Sequence, residues 1–307
     1  MGEYLFKIRR MDDYTLDDLL NDRVNASIAT RFDDKSECQF NYDVDKICNK
    51  IFKQFGRGLS EDKYLLLFEN YKEHRKDKKG LKKLLIELIK PEEVPFKRNF
   101  LISCMSNLNF VNNNHMWNQY TKGNPSDGIL IVYSKNNIIN NCKKNHVLFG
   151  DIDYSGRNSS KLDLTEYWYD WLMSYMGTTD YSKTTGNRVI DMVAQMAVTG
   201  RVLASKGKKY INDNDLIFVK DKNWKYQQEY RLAKENASYN RFADLFSKGN
   251  IKYDEYGYTI IEKPVAIYIR KGIDNKIVKL IEEFAGKDIE LYYEENNDSK
   301  QFYDKYH

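Results

Sequence analysis

The chain has 307 residues, 41% of them hydrophobic and 31% charged, which predicts a soluble globular protein able to bury a substantial core. Lysine and arginine outnumber aspartate and glutamate by 49 to 45, and the resulting net charge of +4 is too small to argue for nucleic acid by itself. The N-terminus lacks an apolar signal segment, and no apolar run reaches membrane-spanning length. Cys38, Cys48, Cys104 and Cys142 are scattered and the four histidines are isolated, so the expectation is a cytoplasmic protein with reduced thiols and no metal site.

In chain order, Tyr4–Arg9 alternates apolar and basic residues and predicts a first strand with Lys7 and Arg9 on one face. A helix follows through Leu16, Leu19 and Leu20 with Thr15 as its N-cap, then a second short strand over Ser27–Phe32. Helical spacing governs Asp43–Lys90. Ile47, Ile51, Phe52 and Phe55 form one apolar stripe, and Leu81, Leu84, Leu85 and Leu88 another. The basic run Glu73–Lys83 lies between them, with Gly80 as a break.

Phe100–Met105 predicts a buried strand ending at Ser106-Asn107. Next comes a helix start at His115–Tyr120, where Trp117 and Tyr120 stand one turn apart. Ile129–Tyr133 is an apolar strand after Gly128, and Val147–Tyr154 a further strand. Helices recur over Leu164–Met176 and Asn187–Leu203. Near the end, a strand at Val265–Arg270, a helix at Asn275–Phe284 and a strand at Ile289–Tyr293 precede a polar tail. Clustered strands separated by helical stretches predict an α+β fold in one domain spanning 1–307, with helical insertions at about 43–95 and 160–210.

The stretch Lys220–Leu232 carries the sharpest chemical signal. At period two, Trp224, Tyr226, Gln228, Tyr230 and Leu232 share one side, and Lys225, Gln227, Glu229 and Arg231 the other. On a strand, residues two apart sit roughly 6.5–7 Å from each other, so Gln227 and Glu229 would reach one small ligand. The plain alternative is the solvated polar face of a half-buried strand.

Several segments together resemble a bacterial family known only as a domain of unknown function, kin to abortive-infection phage-resistance proteins. They are Cys104-Met105-Ser106, Met116-Trp117-Asn118-Gln119-Tyr120, Gly128 with the apolar strand to Tyr133, and the late run from Lys220 through Trp224, Tyr226, Gln227 and Glu229 to Tyr230-Arg231. Two departures stand out: Phe32-Asp33-Asp34-Lys35 lacks the family's proline, and Gln227 replaces the first glutamate of Glu-x-Glu. Gln-x-Glu, with an early basic residue and a serine at the end of a middle strand, in turn resembles ADP-ribosyltransferases.

That second resemblance implies a mixed, mostly antiparallel split sheet, with NAD as substrate and no metal. Glu229 would face the developing ribosyl cation and Gln227 would orient the acceptor. Arg9 or Lys7 would hold the pyrophosphate, Ser106 would brace Glu229 or the ribose, and Trp117 or Tyr120 would stack on nicotinamide. It further implies an anti-phage effector or toxin that modifies a protein or nucleic acid at a group other than arginine, with an antitoxin or phage protein as another partner and no membrane. The same residues have plainer readings: a turn-capping serine, core aromatics, an Arg231 paired to an acid. Two rivals stand beside the transferase: a non-enzymatic phage sensor, to which Gln227 points, and a nucleic-acid-binding protein or nuclease using the basic Glu73–Lys83 run.

Overall fold

The computed structural model describes residues 3–34, 37–39, 41–55, 78–89, 97–155, 163–170, 216–239 and 253–306. The strands are β1 (Tyr4–Arg10), β2 (Arg23–Ser27), β3 (Phe100–Ser106), β4 (Gly128–Ser134), β5 (Leu148–Asp151), β6 (Glu229–Glu235), β7 (Tyr256–Ile261), β8 (Ala266–Ile269) and β9 (Glu290–Tyr293). They join in one open sheet of order β5-β6-β3-β1-β4-β8-β9, from which β2 and β7 branch at β3. Among the described residues every pairing between these strands is antiparallel except β8 with β9. The helices include α1 (Asp13–Leu20), α2 (Val44–Phe55), α3 (Lys78–Ile89), α4 (Asn114–Tyr120), α5 (Lys135–Lys144), α6 (Asn275–Ala285) and α7 (Ser299–Lys305). The fold is therefore α+β. None of the described helices is long and apolar enough to cross a membrane.

β4 explains its own sequence. Ile129, Ile131 and Tyr133 pack with Leu5, Ile138, Ile267 and Ile281 on one face of the sheet. Leu130 and Val132 pack with Phe6, Ile8, Trp117 and Phe302 on the other. A strand covered on both faces has no polar positions to alternate, hence the unbroken apolar run. Gly128 opens it beneath Trp117, where an added Cβ would lie 2.7 Å from Trp117 Cζ3 and 2.8 Å from Thr121 Cγ2. Gly128→Ala is expected to cost about 1–3 kcal/mol by overpacking, read as a lower urea midpoint with an unchanged slope.

The branch at β3 positions the site. β6 pairs with β3 along its whole length, from Phe100↔Glu235 to Ser106↔Glu229. On its other side β3 meets β1 only at Phe6↔Ser106 and β2 only at Ser27↔Ile102. Between those two bridges the strands diverge, and Lys7 fills the fork. Its Nζ donates to Asn25 O at 3.2 Å, Ser103 Oγ at 2.9 Å and Cys104 O at 3.1 Å. An ammonium with three donors thus takes the place of the missing ladder rungs.

Some boundaries differ from expectation. The second strand is Arg23–Ser27, burying Val24 and Ala26, and Ala29–Arg31 is a 3-10 turn rather than strand. Asp12, not Thr15, caps α1, its Oδ1 accepting from Thr15 N at 2.8 Å. Gly80 lies inside α3 and does not break it. Ile47 and Ile51 of the first stripe are buried, as is Leu85 of the second. Asn187–Leu203, residues 171–176 of the stretch Leu164–Met176, and Glu73–Asp77 lie outside the described residues.

Candidate active site

The late motif is not one strand. Asp221 caps a 3-10 turn over Lys222–Gln227, its side chain accepting from Asn223 N at 2.9 Å. Gln228 then adopts the left-handed conformation, φ 39° and ψ 54°, and β6 begins only at Glu229. The expected alternation across Lys220–Leu232 therefore fails before Glu229: Tyr226 is 42% exposed, whereas Gln227, Glu229 and Arg231 are buried. The polar side of β6 is not a solvated face either.

Gln227 and Glu229 still converge, by a different route. Lys220 Nζ donates to Gln227 Oε1 and to Glu229 Oε2, both at 2.8 Å. Ser106 fixes the turn, its Oγ donating to Gln227 O at 2.8 Å and accepting from Leu108 N at 2.9 Å. Tyr154 accepts from Glu229 N at 2.7 Å through its hydroxyl. Ser106 thus braces the backbone beside Glu229 rather than its carboxylate.

Behind these residues lies a closed ring of charge. Lys220 Nζ is 3.0 Å from Glu37 Oε1 and 2.8 Å from Glu229 Oε2. Arg231 Nη2 is 2.7 Å from Glu37 Oε2, and its Nε is 2.5 Å from Glu229 Oε1. All four side chains are at most 8% exposed. Arg231 Nη1 also donates to Ile217 O at 2.6 Å. Burial alone would raise the Glu229 carboxyl, but Arg231 and Lys220 outweigh it and hold the group at about 2. Glu229 is therefore a carboxylate near neutral pH, and a poor base. Burial, then the Glu229 charge, pushes the Cys104 thiol up, so Cys104 is a neutral neighbour rather than a thiolate.

A cavity of about 390 Å³ opens in front of the ring, within the roughly 300–1,000 Å³ range of small-molecule sites. Lys7, Arg9, Ser106, Tyr120, Gln227 and Glu229 all line it. Trp117 does not. It is fully buried in the core beneath α4, with its indole N–H donating to Val111 O at 3.0 Å, and the expectation that it stacks on a ligand is corrected. One turn on, Tyr120 faces outward, 37% exposed at the cavity wall.

Arg9 is aimed by Thr15, whose Oγ1 accepts from Nη2 at 2.9 Å, and by Asn25 Oδ1. Burial, then the adjacent Arg9 charge, pushes the Lys7 ammonium down to about 8. Between about pH 8 and the ordinary lysine value, the unfolded chain holds a proton that the folded chain has released. Folding stability from this group therefore rises with pH across that window. Lys7→Met is expected to flatten the rise, measured as the difference in denaturant midpoint between about pH 7.5 and about pH 9.5. The residue that sequence reasoning missed is Glu37. It lies in the segment after β2, with nothing local to mark it as the partner of Arg231.

The model of a family described as a protein of unknown function (DUF2971) matches residues 116–232. The match runs from α4 into β6 and so includes Tyr120, Lys220, Gln227, Glu229 and Arg231, while Lys7, Arg9, Glu37 and Ser106 lie before it. No curated protein and no solved structure matches the chain.

Proposed function

We propose that the cavity binds NAD and that the protein transfers ADP-ribose to a macromolecular acceptor, as an anti-phage effector or toxin. One observation carries this reading: six residues nominated from separate segments, Lys7, Arg9, Ser106, Tyr120, Gln227 and Glu229, line one cavity. The fork of β1 and β2 at β3 supports the split-sheet, transferase-like architecture.

In the reaction, the bond between ribose C1′ and the nicotinamide nitrogen breaks, and its electron pair leaves with neutral nicotinamide. Glu229 faces the positive charge that develops on the ribose, and a fixed buried carboxylate stabilises it without reorganising. A lone pair of the acceptor then bonds to C1′. The acceptor's proton passes to water, because Glu229 is held too acidic to take it and the Gln227 amide is not a base. Arg9 supplies a charge-assisted contact to the diphosphate. Arg9→Ala is expected to weaken NAD binding about ten- to a hundredfold by calorimetry, the loss of one hydrogen-bonded charge.

A second reading, ligand binding without turnover, has its own support: Glu229 is matched by two cations, and Lys220 also occupies the Gln227 amide. Incubation with NAD labelled on its adenylate, alone and with cell lysate, separates the readings. Nicotinamide release with label passing to protein or nucleic acid supports the transferase. Release without transfer means NAD hydrolysis, and binding without release leaves the sensor. Absence of NAD binding sinks the transferase and leaves only a sensor of some other ligand.

A further inference from the structure

A second, more open concavity of about 580 Å³ lies beside the first, and Phe110 lines both. Its lining is rich in carboxamides, from Asn109 and Asn112 to Asn114, with the rings of Tyr226 and Tyr303. Tyr226 stands at the join. Its hydroxyl donates at 3.3 Å to Gln119 Oε1, and Gln119 lines the first cavity. Trp224 stacks on Tyr226 with centroids 6.2 Å apart and planes at 29°, while His115 meets Tyr226 edge-on at 5.5 Å. The result is an aromatic cluster in which Tyr226 and His115 are exposed.

Rings that present open faces take up planar partners, and carboxamides offer a donor and an acceptor together, as base edges require. Asn112 and Asn114 are exposed and make no side-chain hydrogen bond among the described residues. Lys222 and Lys225, exposed on the turn that carries Tyr226, place positive charge beside the rings. Among the described residues aliphatic lining is confined to Leu108, which disfavours an apolar peptide.

We propose that this concavity binds single-stranded nucleic acid, with one base stacked on Tyr226 and its edge against Asn112 and Asn114. Its role as the acceptor surface rests on the transferase reading; the binding itself does not. A duplex has no free base faces to offer, so single strands are the ligand.

The test is fluorescence anisotropy of the full chain with labelled single-stranded DNA and, separately, RNA oligonucleotides of about 12 nucleotides, against the matching duplex. Saturable binding of one or both single strands is expected, with the duplex at least about tenfold weaker. The two arms identify the sugar preferred. Tyr226→Ala is expected to weaken binding about tenfold, Tyr226→Phe to keep it, and the double change Asn112→Ala with Asn114→Ala to weaken it. Tyr258→Ala, exposed on β7, is expected to leave binding unchanged. These positions are on the surface, and melting curves verify that each variant is folded. No saturable binding, equal affinity for duplex, or indifference to Tyr226→Ala overturns the proposal. Oligonucleotide binding is read without NAD and nicotinamide release without oligonucleotide, so either can fail alone.

Discussion

Glu229→Gln is expected to lower nicotinamide release by about a hundred- to a thousandfold, the scale of losing one preorganised electrostatic group. The single variant also disturbs the fold, because it leaves Lys220 and Arg231 buried against Glu37 alone. The decisive comparison is therefore with the double variant Lys220→Met with Glu229→Gln. Removing one charge of each sign leaves the Glu37–Arg231 pair balanced, so thermal stability should recover toward that of the parent. Turnover should not. If activity returns together with stability, Glu229 serves the fold alone and the transferase assignment loses its carboxylate.

Arg231→Met is expected to have the largest effect on stability, about 3–5 kcal/mol, because two buried carboxylates would be left to share one ammonium. Combining it with Glu37→Gln restores the balance around Lys220 and Glu229. The double variant should lose less than the sum of the single losses, by about 1–3 kcal/mol in a denaturant cycle. Strictly additive losses would mean that the four charges do not act as a unit. The acid limb gives an independent check. Glu229 is depressed to about 2, so its contribution is complete above the ordinary carboxylate value and is lost as pH falls toward about 2. Without Arg231 that loss should begin at higher pH.

Local patterns carried much of this into the sequence. The uninterrupted apolar run of β4 announced a strand, and its cover on both faces came with the fold. The one-turn spacing of Trp117 and Tyr120 placed them on one helix, but spacing could not say that the first points into the core and the second to the cavity. Other features left weak local signals. Gln228 is not a glycine, so its left-handed conformation, which ends the turn and starts β6, was hidden within an apparent alternation. α7 buries Phe302 and little else before Tyr306, and so looked like a polar tail. β7 exposes Tyr256, Tyr258 and Ile261, which inverts the usual reading of an apolar strand as interior. Glu37 and Arg231 meet across 194 positions of chain, a pairing that only the tertiary fold creates.

The ring of Glu37, Lys220, Glu229 and Arg231 also sets what an approaching anion feels. Opposite charges that alternate around a closed loop cancel at a distance, and their combined potential dies away over little more than the loop's own width. The long-range field at the mouth therefore belongs to the other ionic groups of the wall among the described residues, Lys7, Arg9 and Lys122 against Asp33 and Asp34, Arg31 being paired with Glu255. On the proposed reading, an approaching polyanion would feel those groups first and the paired Glu229 carboxylate only at contact range. The ion-paired Glu229 carboxylate thus sits at the back of the cleft without projecting its charge to the mouth.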